Sequence, residues 1–330
     1  MINMKKIYLI ITLVFTTLNG ASPYPVFSEN GMVVSTSRQA SETGVEIMKK
    51  GGNAVDAAVA TGFVLAVTSS SNGNIGGGGF MVVRMADGTT FTLDYREIAP
   101  AAAHRDMYLD DNGDVIENMS LRTRAACGVP GTVDGLLKIW ADHGSGNISR
   151  RELLAPAIAL AEKGFELSHY EASRFNSHKE LFSSNEAAAE VFIRHDGRPW
   201  KDGDKFVQKD LSKTLKQIAR DGREGFYTGK TADLIVAEMN RGIGLITYED
   251  LLNYKSKYRE PVMGSFKDFD LISMGLPSSG GTILVEMFNM LENFPLAELG
   301  WNSSNYIHLL TEVERRAYAD RAEHLGDSDY

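Results

Sequence analysis

The chain has 330 residues, 43% of them hydrophobic and 23% charged, an ordinary globular composition with room for one large domain or two smaller ones. Its formal net charge of −9 disfavours nucleic acid and anionic membrane surfaces as partners. With Cys127 as its only cysteine it can form neither an internal disulfide nor a thiolate metal cluster.

Residues 1–21 read as a signal peptide. Lys5 and Lys6 form a positive start, and Ile7 to Phe15 is an apolar stretch too short to span a bilayer as a mature helix. Gly20, Ala21 and Ser22 offer small residues for cleavage after Ala21. The alternative is an uncleaved anchor. Cleavage implies a periplasmic or secreted protein with no membrane attachment afterwards. The only other apolar run, Ala57 to Val67, is also too short to cross a bilayer and is preceded by Asp56.

Met32 to Val34 suggests a short strand. Ser41 with Glu42 suggests a helix start, and Lys49 and Lys50 before Gly51 its end. Asn53 then caps a second helix that is apolar on most faces and therefore buried. That helix runs into four glycines, Gly76 to Gly79. They do not form a phosphate cradle. A dinucleotide fingerprint needs glycine where Met81 or Val82 stands, and a P-loop needs lysine where Phe80 stands. In "GFYTGKT", Gly229, Lys230 and Thr231 fit the end of a P-loop, but Glu224 occupies the place of its first glycine. From the residues alone, the tract is a tight passage from helix to strand.

Two runs rich in Val, Phe and Thr flank Asp87-Gly88, the signal of a hairpin. Cys127, just before "GVPG", is expected to be buried. "ELLAPAIALAEKGFELS" reads as a helix broken by Gly164, and "KTADLIVAEMN" as another. Thr247 caps a third, with Asp250 as a weakened capping box. "PVMGSFKDFDLISM" alternates like two strands, and "SSGGTILVEMFNMLENF" is helical after its glycines. The last segment is a long amphipathic helix whose period uses Ile307, Leu310, Val313, Ala317 and Ala319. There is no internal repeat. Helices mixed with β hairpins argue against a doubly wound parallel sheet.

The blocks "GGNAVDAAVATGFVLAVTSSSNGNIGGGGFMVV", "LDYREIAPAAA", "GVPGTVDGL", "EGFYTGKTADLIV", "TYEDLLNY", "REPVMGSF", "MGLPSSGGTIL" and "RAYADRAEHLGD" stand in the order and spacing of one family. The chain resembles the large subunit of γ-glutamyltranspeptidase, or glutathione hydrolase, over nearly its whole length after the signal peptide. The resemblance implies an α+β fold, the αββα sandwich of N-terminal-nucleophile hydrolases, with residues 22–330 as one large-subunit domain. It implies a precursor that cleaves itself, and a small subunit from that precursor that completes the sheets and supplies a threonine nucleophile. It implies a small-molecule γ-glutamyl substrate and no cofactor. It also places the glycine tract at the sandwich centre, where the buried helix must lie close to the strand leading to the substrate loop. No part of this sequence resembles the family's Thr-rich nucleophile block, so the chain alone is expected to be inactive, with no catalytic residue of its own. The alternative is a non-catalytic homologue that keeps only the pocket wall; an in-frame Thr block beyond the Tyr330 codon, or a stop, separates the two.

Arg96, in "DYREIAP", is the candidate substrate-binding residue. The resemblance implies that it pairs with the α-carboxylate of the glutamyl group, which suits a planar guanidinium fork. The competing reading is a strand-end ion pair with Asp94 or Glu97, themselves read as orienting or structural partners. Ser278 and Ser279 lack a nucleophile motif and read as caps of the following helix. The seven histidines show no ligand spacing, and no metal is implied.

Overall fold

The computed structural model describes residues 25–72 and 74–330, so the expected signal peptide lies outside the described residues. The chain divides into a unit ending at Met32 and a second unit, Val33–Tyr330. In the first, residues 25–32 are irregular apart from a bend in which the Ser28 hydroxyl donates to the Gly31 carbonyl at 2.6 Å. The strand expected at Met32 to Val34 does not form; none of the three residues makes a β-ladder.

The larger unit is built on two consecutive helices, Arg38–Lys49 and Ala54–Thr68. The first starts four residues earlier than Ser41 suggests. Ser37 is the cap, accepting from the Ala40 N–H, and Ser41 lies one turn inside. A polar residue inside a first turn looks much like a cap when only sequence is read. The chain leaves that helix through Gly51, whose φ of +92° suits a residue without Cβ. Asn53 and Asp56 close a reciprocal capping box on the second helix, whose Val59, Phe63, Val64 and Val67 are fully buried. These side chains share one continuous core with Leu93, Val133, Ile139, Leu153 and Leu154.

Three antiparallel strands lie beside this core. β1 (Phe80–Arg84) and β2 (Thr90–Asp94) form the expected hairpin around Gly88, with Phe80 opposite Asp94 and Arg84 opposite Thr90. The two-residue strands β3 (Phe165–Glu166) and β4 (Lys205–Phe206) pair with each other. β5 (Lys257–Arg259) adds to the free side of β2, giving the order β1-β2-β5. β6 (Val262–Phe266) and β7 (Phe269–Ser273) make the second expected hairpin. The Gly280–Leu291 helix packs on that hairpin, and the Ser304–His324 helix packs on the Gly280–Leu291 helix. No described helix is long and apolar enough to cross a membrane.

Three helices between β3 and β4, His169–Ser177, Lys179–Ser183 and Glu186–Phe192, were not legible as elements in the sequence. They enclose a cluster of Phe175, Phe182, Phe192, Trp200 and Phe206. Among the described residues, the apolar stripe of the Ser304–His324 helix buries only Val313 and Ala317, while Ile307 stays exposed.

The glycine tract does its packing against a different partner from the one expected. A Cβ on Gly78 would lie 2.5 Å from the Tyr95 carbonyl oxygen and 2.7 Å from the Glu97 nitrogen; on Gly79 it would meet the Tyr95 ring at 3.0 Å. The tract is pressed on the loop that follows β2, not on the buried helix. At Gly76 the only close atom among the described residues is the side-chain oxygen of Asn74, at 3.1 Å, which can move aside. Gly78→Ala in the full-length protein should therefore lower the unfolding free energy by about 2 kcal/mol or more, and Gly76→Ala by less than about 1. Denaturant melts that show equal losses at the two positions would remove the close-approach account of the tract.

Candidate functional site

Arg96 sits two residues beyond β2, on the segment Tyr95–Glu97. Two sequence blocks flank that segment's backbone and fix it. On one side, the Gly79 N–H donates to the Tyr95 carbonyl at 3.2 Å and the Tyr95 N–H to the Gly79 carbonyl at 3.0 Å, extending the β1–β2 ladder. On the other, the Val129 N–H donates to the Ile98 carbonyl at 2.8 Å. Gly131 and Thr132 both donate to the Gly77 carbonyl, at 2.8 and 3.0 Å, joining the two flanking blocks. Gly128 and Gly131 leave no space for side chains: a Cβ on the first would stand 2.9 Å from that of Glu97, and one on the second would collide with the Tyr95 carbonyl and the Tyr254 hydroxyl.

A buried polar hub stands behind the segment. The Tyr254 hydroxyl donates to the Arg96 carbonyl at 2.8 Å. The Tyr254 ring stacks on Tyr227 with centroids 5.8 Å apart and planes within 6°, and the Tyr227 hydroxyl donates to the Pro130 carbonyl at 2.7 Å. Burial pushes both phenols well above their ordinary range, so both remain protonated donors. The carboxylate of Asp134, in the Thr132–His143 helix, accepts from the Ser256 N–H (2.8 Å), the Ser256 hydroxyl (2.6 Å) and Arg223 Nε (2.7 Å). Arg223 also donates to the carbonyls of Leu252 and Tyr254 and lies 4.5 Å from the Tyr227 ring centre. This buried charge is thus paired and saturated with donors, the condition under which burial is tolerated.

The Arg96 side chain, by contrast, has no hydrogen-bond partner among the described residues. It is 60% exposed, and its nearest carboxylate, Glu97, is 3.7 Å from Nε. Its guanidinium carbon lies 5.7 Å from the Phe80 ring centre. Asp94 is occupied elsewhere: Oδ1 accepts the Arg96 backbone N–H at 3.0 Å, and Oδ2 accepts Nε of Arg259 at 2.8 Å. Of the two strand-end partners weighed from sequence, Asp94 holds the backbone and Glu97 makes only a long ion pair. The arrangement is a fixed backbone that presents a cation free to grip an anion.

Sequence reasoning missed the hub. Asp134, Arg223, Tyr227, Tyr254 and Ser256 are scattered over more than 120 positions, and only Asp134 carried a local signal, an acidic residue in a helix's first turn. Two other expectations are corrected. Ser279 occupies the N-cap position of the Gly280–Leu291 helix without a side-chain cap bond, because its own backbone is helical (φ −73°, ψ −17°) and not in the extended conformation from which a cap side chain reaches the first N–H groups; its hydroxyl accepts instead from Arg321 Nε at 3.0 Å. Cys127 is exposed, because its segment lies on the surface between a single 3₁₀ turn and Gly128. The Thr247–Asp250 capping box, expected to be weakened by the shorter aspartate, is complete. A separate cavity of about 970 Å³, lined by Ser37, Arg38, Phe175 and His178 among others, does not include Arg96.

The family model described as Gamma-glutamyltranspeptidase matches residues 40–330. The glutathione hydrolase proenzyme of Pseudomonas sp. (strain A14) is 44% identical over 313 residues, covering 95% of this chain and 54% of that protein. The crystal structure of Helicobacter pylori gamma-glutamyltranspeptidase is 43% identical, with a TM-score of 0.90, covering 93% of this chain and 87% of that chain. The gamma-glutamyltranspeptidase from Pseudomonas nitroreducens, solved in complex with L-DON, is 43% identical with a TM-score of 0.85, covering 92% and 89%. The chain spans about half the length of the curated relatives it matches.

Two outcomes follow from the geometry. Tyr254→Phe removes the bond to the Arg96 carbonyl and should cost about 1 kcal/mol in unfolding free energy, measured in the full-length protein; an unchanged value would mean the hub does not hold the loop. Partial burial pushes the Cys127 thiol upward, only partly offset by Arg124. Its thiolate fraction at pH 7.5 is therefore below that of a free cysteine. Alkylation should be slower than that of a free thiol at pH 7.5 and should still be rising above pH 9. A rate that levels off below pH 8 would contradict this.

Proposed function

This chain belongs to the gamma-glutamyltranspeptidase family, and from that premise we propose that it is the large-subunit part of an exported γ-glutamyl hydrolase and transferase. In this reading the enzyme takes the acyl group of glutathione or a related γ-glutamyl compound onto a threonine. It then passes that group to water or to an amino acid. The threonine comes from a small subunit released by self-cleavage of the same precursor, and its own amino group serves as base. The part played by this chain is recognition: Arg96 grips the α-carboxylate of the glutamyl group. A location in the periplasm or outside the cell follows from the signal peptide read at residues 1–21.

The observation that carries the reading is the exposed Arg96 guanidinium, without a hydrogen-bond partner among the described residues, on a backbone clamped by four glycines and a tyrosine hydroxyl. A guanidinium used only for structure would be spent on Asp94, which lies two residues away and is bonded to Arg259 instead. The partner subunit is supported by apolar surface. Met263 and Phe269 of the β6–β7 hairpin and Ile307 and Tyr318 of the last helix are all exposed, and a two-stranded ribbon is marginal without further pairing.

The test uses the full-length protein carrying the nucleophile. Arg96→Ala loses a charge-assisted fork contact, on the order of 1.5–3 kcal/mol, so kcat/KM for γ-glutamyl donors should fall roughly ten- to over a hundredfold. Arg96→Lys should recover only part of it. A donor lacking the α-carboxylate should feel little of the change, and self-cleavage should be spared. If Arg96→Ala instead blocks maturation while the matured fraction keeps full activity, Arg96 is a structural residue and the assignment fails.

A further inference from the structure

We propose that Arg259 is a positioning residue for the Arg96 guanidinium, acting through Asp94. The inference rests on the reading of Arg96 as the carboxylate-binding residue.

Arg259 lies on β5 directly opposite Thr92 of β2, and its carbonyl accepts the Thr92 hydroxyl at 2.7 Å. The period of two puts Asp94 on the same face as Thr92. The Arg259 side chain therefore runs diagonally to it, and Nε donates to Asp94 Oδ2 at 2.8 Å. The other edge of the guanidinium is also engaged. Nη2 and Nη1 reach Asp329 Oδ2 and Oδ1 at 2.6 and 3.2 Å, and Lys257 Nζ adds a third donor to Asp329 at 2.7 Å. Only 15% of the Arg259 side chain and 9% of that of Asp94 is exposed, so solvent screens this pair weakly. The neighbouring charges hold Asp329 well below the usual carboxylate range and Arg259 above its own.

Asp94 is the pivot. Among the described residues it is the only side chain bonded to the Arg96 N–H, and its carboxylate can accept that bond in a fixed direction only while its other oxygen is held. A planar fork anchored at both edges does that; a lysine at 259 could reach Asp94 or Asp329, not both at once. Cutting Asp94 loose frees the Arg96 backbone on the side that Tyr254 does not hold. The fork then meets the substrate carboxylate out of register, a loss of binding geometry and not of chemistry.

The experiment uses the full-length, self-cleaved enzyme, with the matured fraction purified and quantified for each variant. Arg259→Gln should raise KM for a γ-glutamyl donor by on the order of tenfold, the size of one misplaced charge-assisted hydrogen bond, with kcat within about threefold. Arg259→Lys should recover part of the loss. For a donor lacking the α-carboxylate KM should be unchanged, and in an Arg96→Ala background Arg259→Gln should have little further effect. Because Arg259→Gln leaves a nearly buried carboxylate uncompensated and could fail to fold, the paired variant Asp94→Asn/Arg259→Gln, which leaves no lone charge, is measured beside it; it should show the same donor-selective rise. Equal KM increases for both donors, or effects additive with Arg96→Ala, overturn the proposal while leaving the Arg96 assignment standing. If Arg96→Ala itself fails to discriminate the two donors, the Arg96 reading is wrong and this inference falls with it.

Discussion

The arrangement depends on one close approach: the backbone from Tyr95 to Glu97 is flanked so tightly that its neighbours have no room for a Cβ. Gly78 and Gly79 meet it on one side and Gly128 and Gly131 on the other. Such packing carries a cost, because each glycine surrenders more backbone freedom on folding than any other residue. In return the carbonyls and N–H groups of three separate blocks come within bonding distance of one another. An arginine at the end of a flexible loop would have to be ordered when it met its ligand. Here most of that ordering is done when the protein folds, which is how preorganisation raises affinity.

The second layer is electrostatic. Two carboxylates, Asp134 and Asp94, each sit behind the segment and each is matched to an arginine, Arg223 or Arg259. Neither pair faces the open side. Both are spent on main-chain groups and within their own pairs, and Arg96, with only a long ion pair to Glu97 among the described residues, is left at the surface they support. The pairings divide cleanly: half-buried arginines fix the frame, and the exposed one is available for an anion.

Local structure was largely legible in the sequence where the signal was local. Asn53, Thr247, Asp87-Gly88 and Lys49-Lys50-Gly51 each announce a cap, a turn or a stop, and each of those signals held even where the far end of its element did not. Arg96 could be singled out because the "DYREIAP" block carried a resemblance; nothing in its spacing alone would have done so. The failures share a physical cause. Ser279 and Cys127 were judged by their neighbours in the chain, whereas the fold sets the backbone of the one in a helical conformation and leaves the other partly open to solvent. The three helices between β3 and β4 are only five to nine residues long, too short to show a period. The Asp134 hub and the Arg259–Asp94 pair exist only once β5 is in place.

That last point bears on when the site comes into being. β2 finds its second neighbour 165 residues further along the chain, at the Asp94–Arg259 bond, and the Tyr254 hydroxyl reaches Arg96 across 158 residues. At ordinary rates of synthesis, the stretch from the hairpin to β5 takes roughly 10–30 s to make. For that time the β1–β2 hairpin has one edge open and the Arg96 loop has neither its tyrosine nor its second anchor. Long-range pairing of this kind is slow to form and exposes strand edges while it waits. The glycines that make the finished loop rigid leave its flanks at their most supple beforehand, so the loop is among the last parts of the chain to settle.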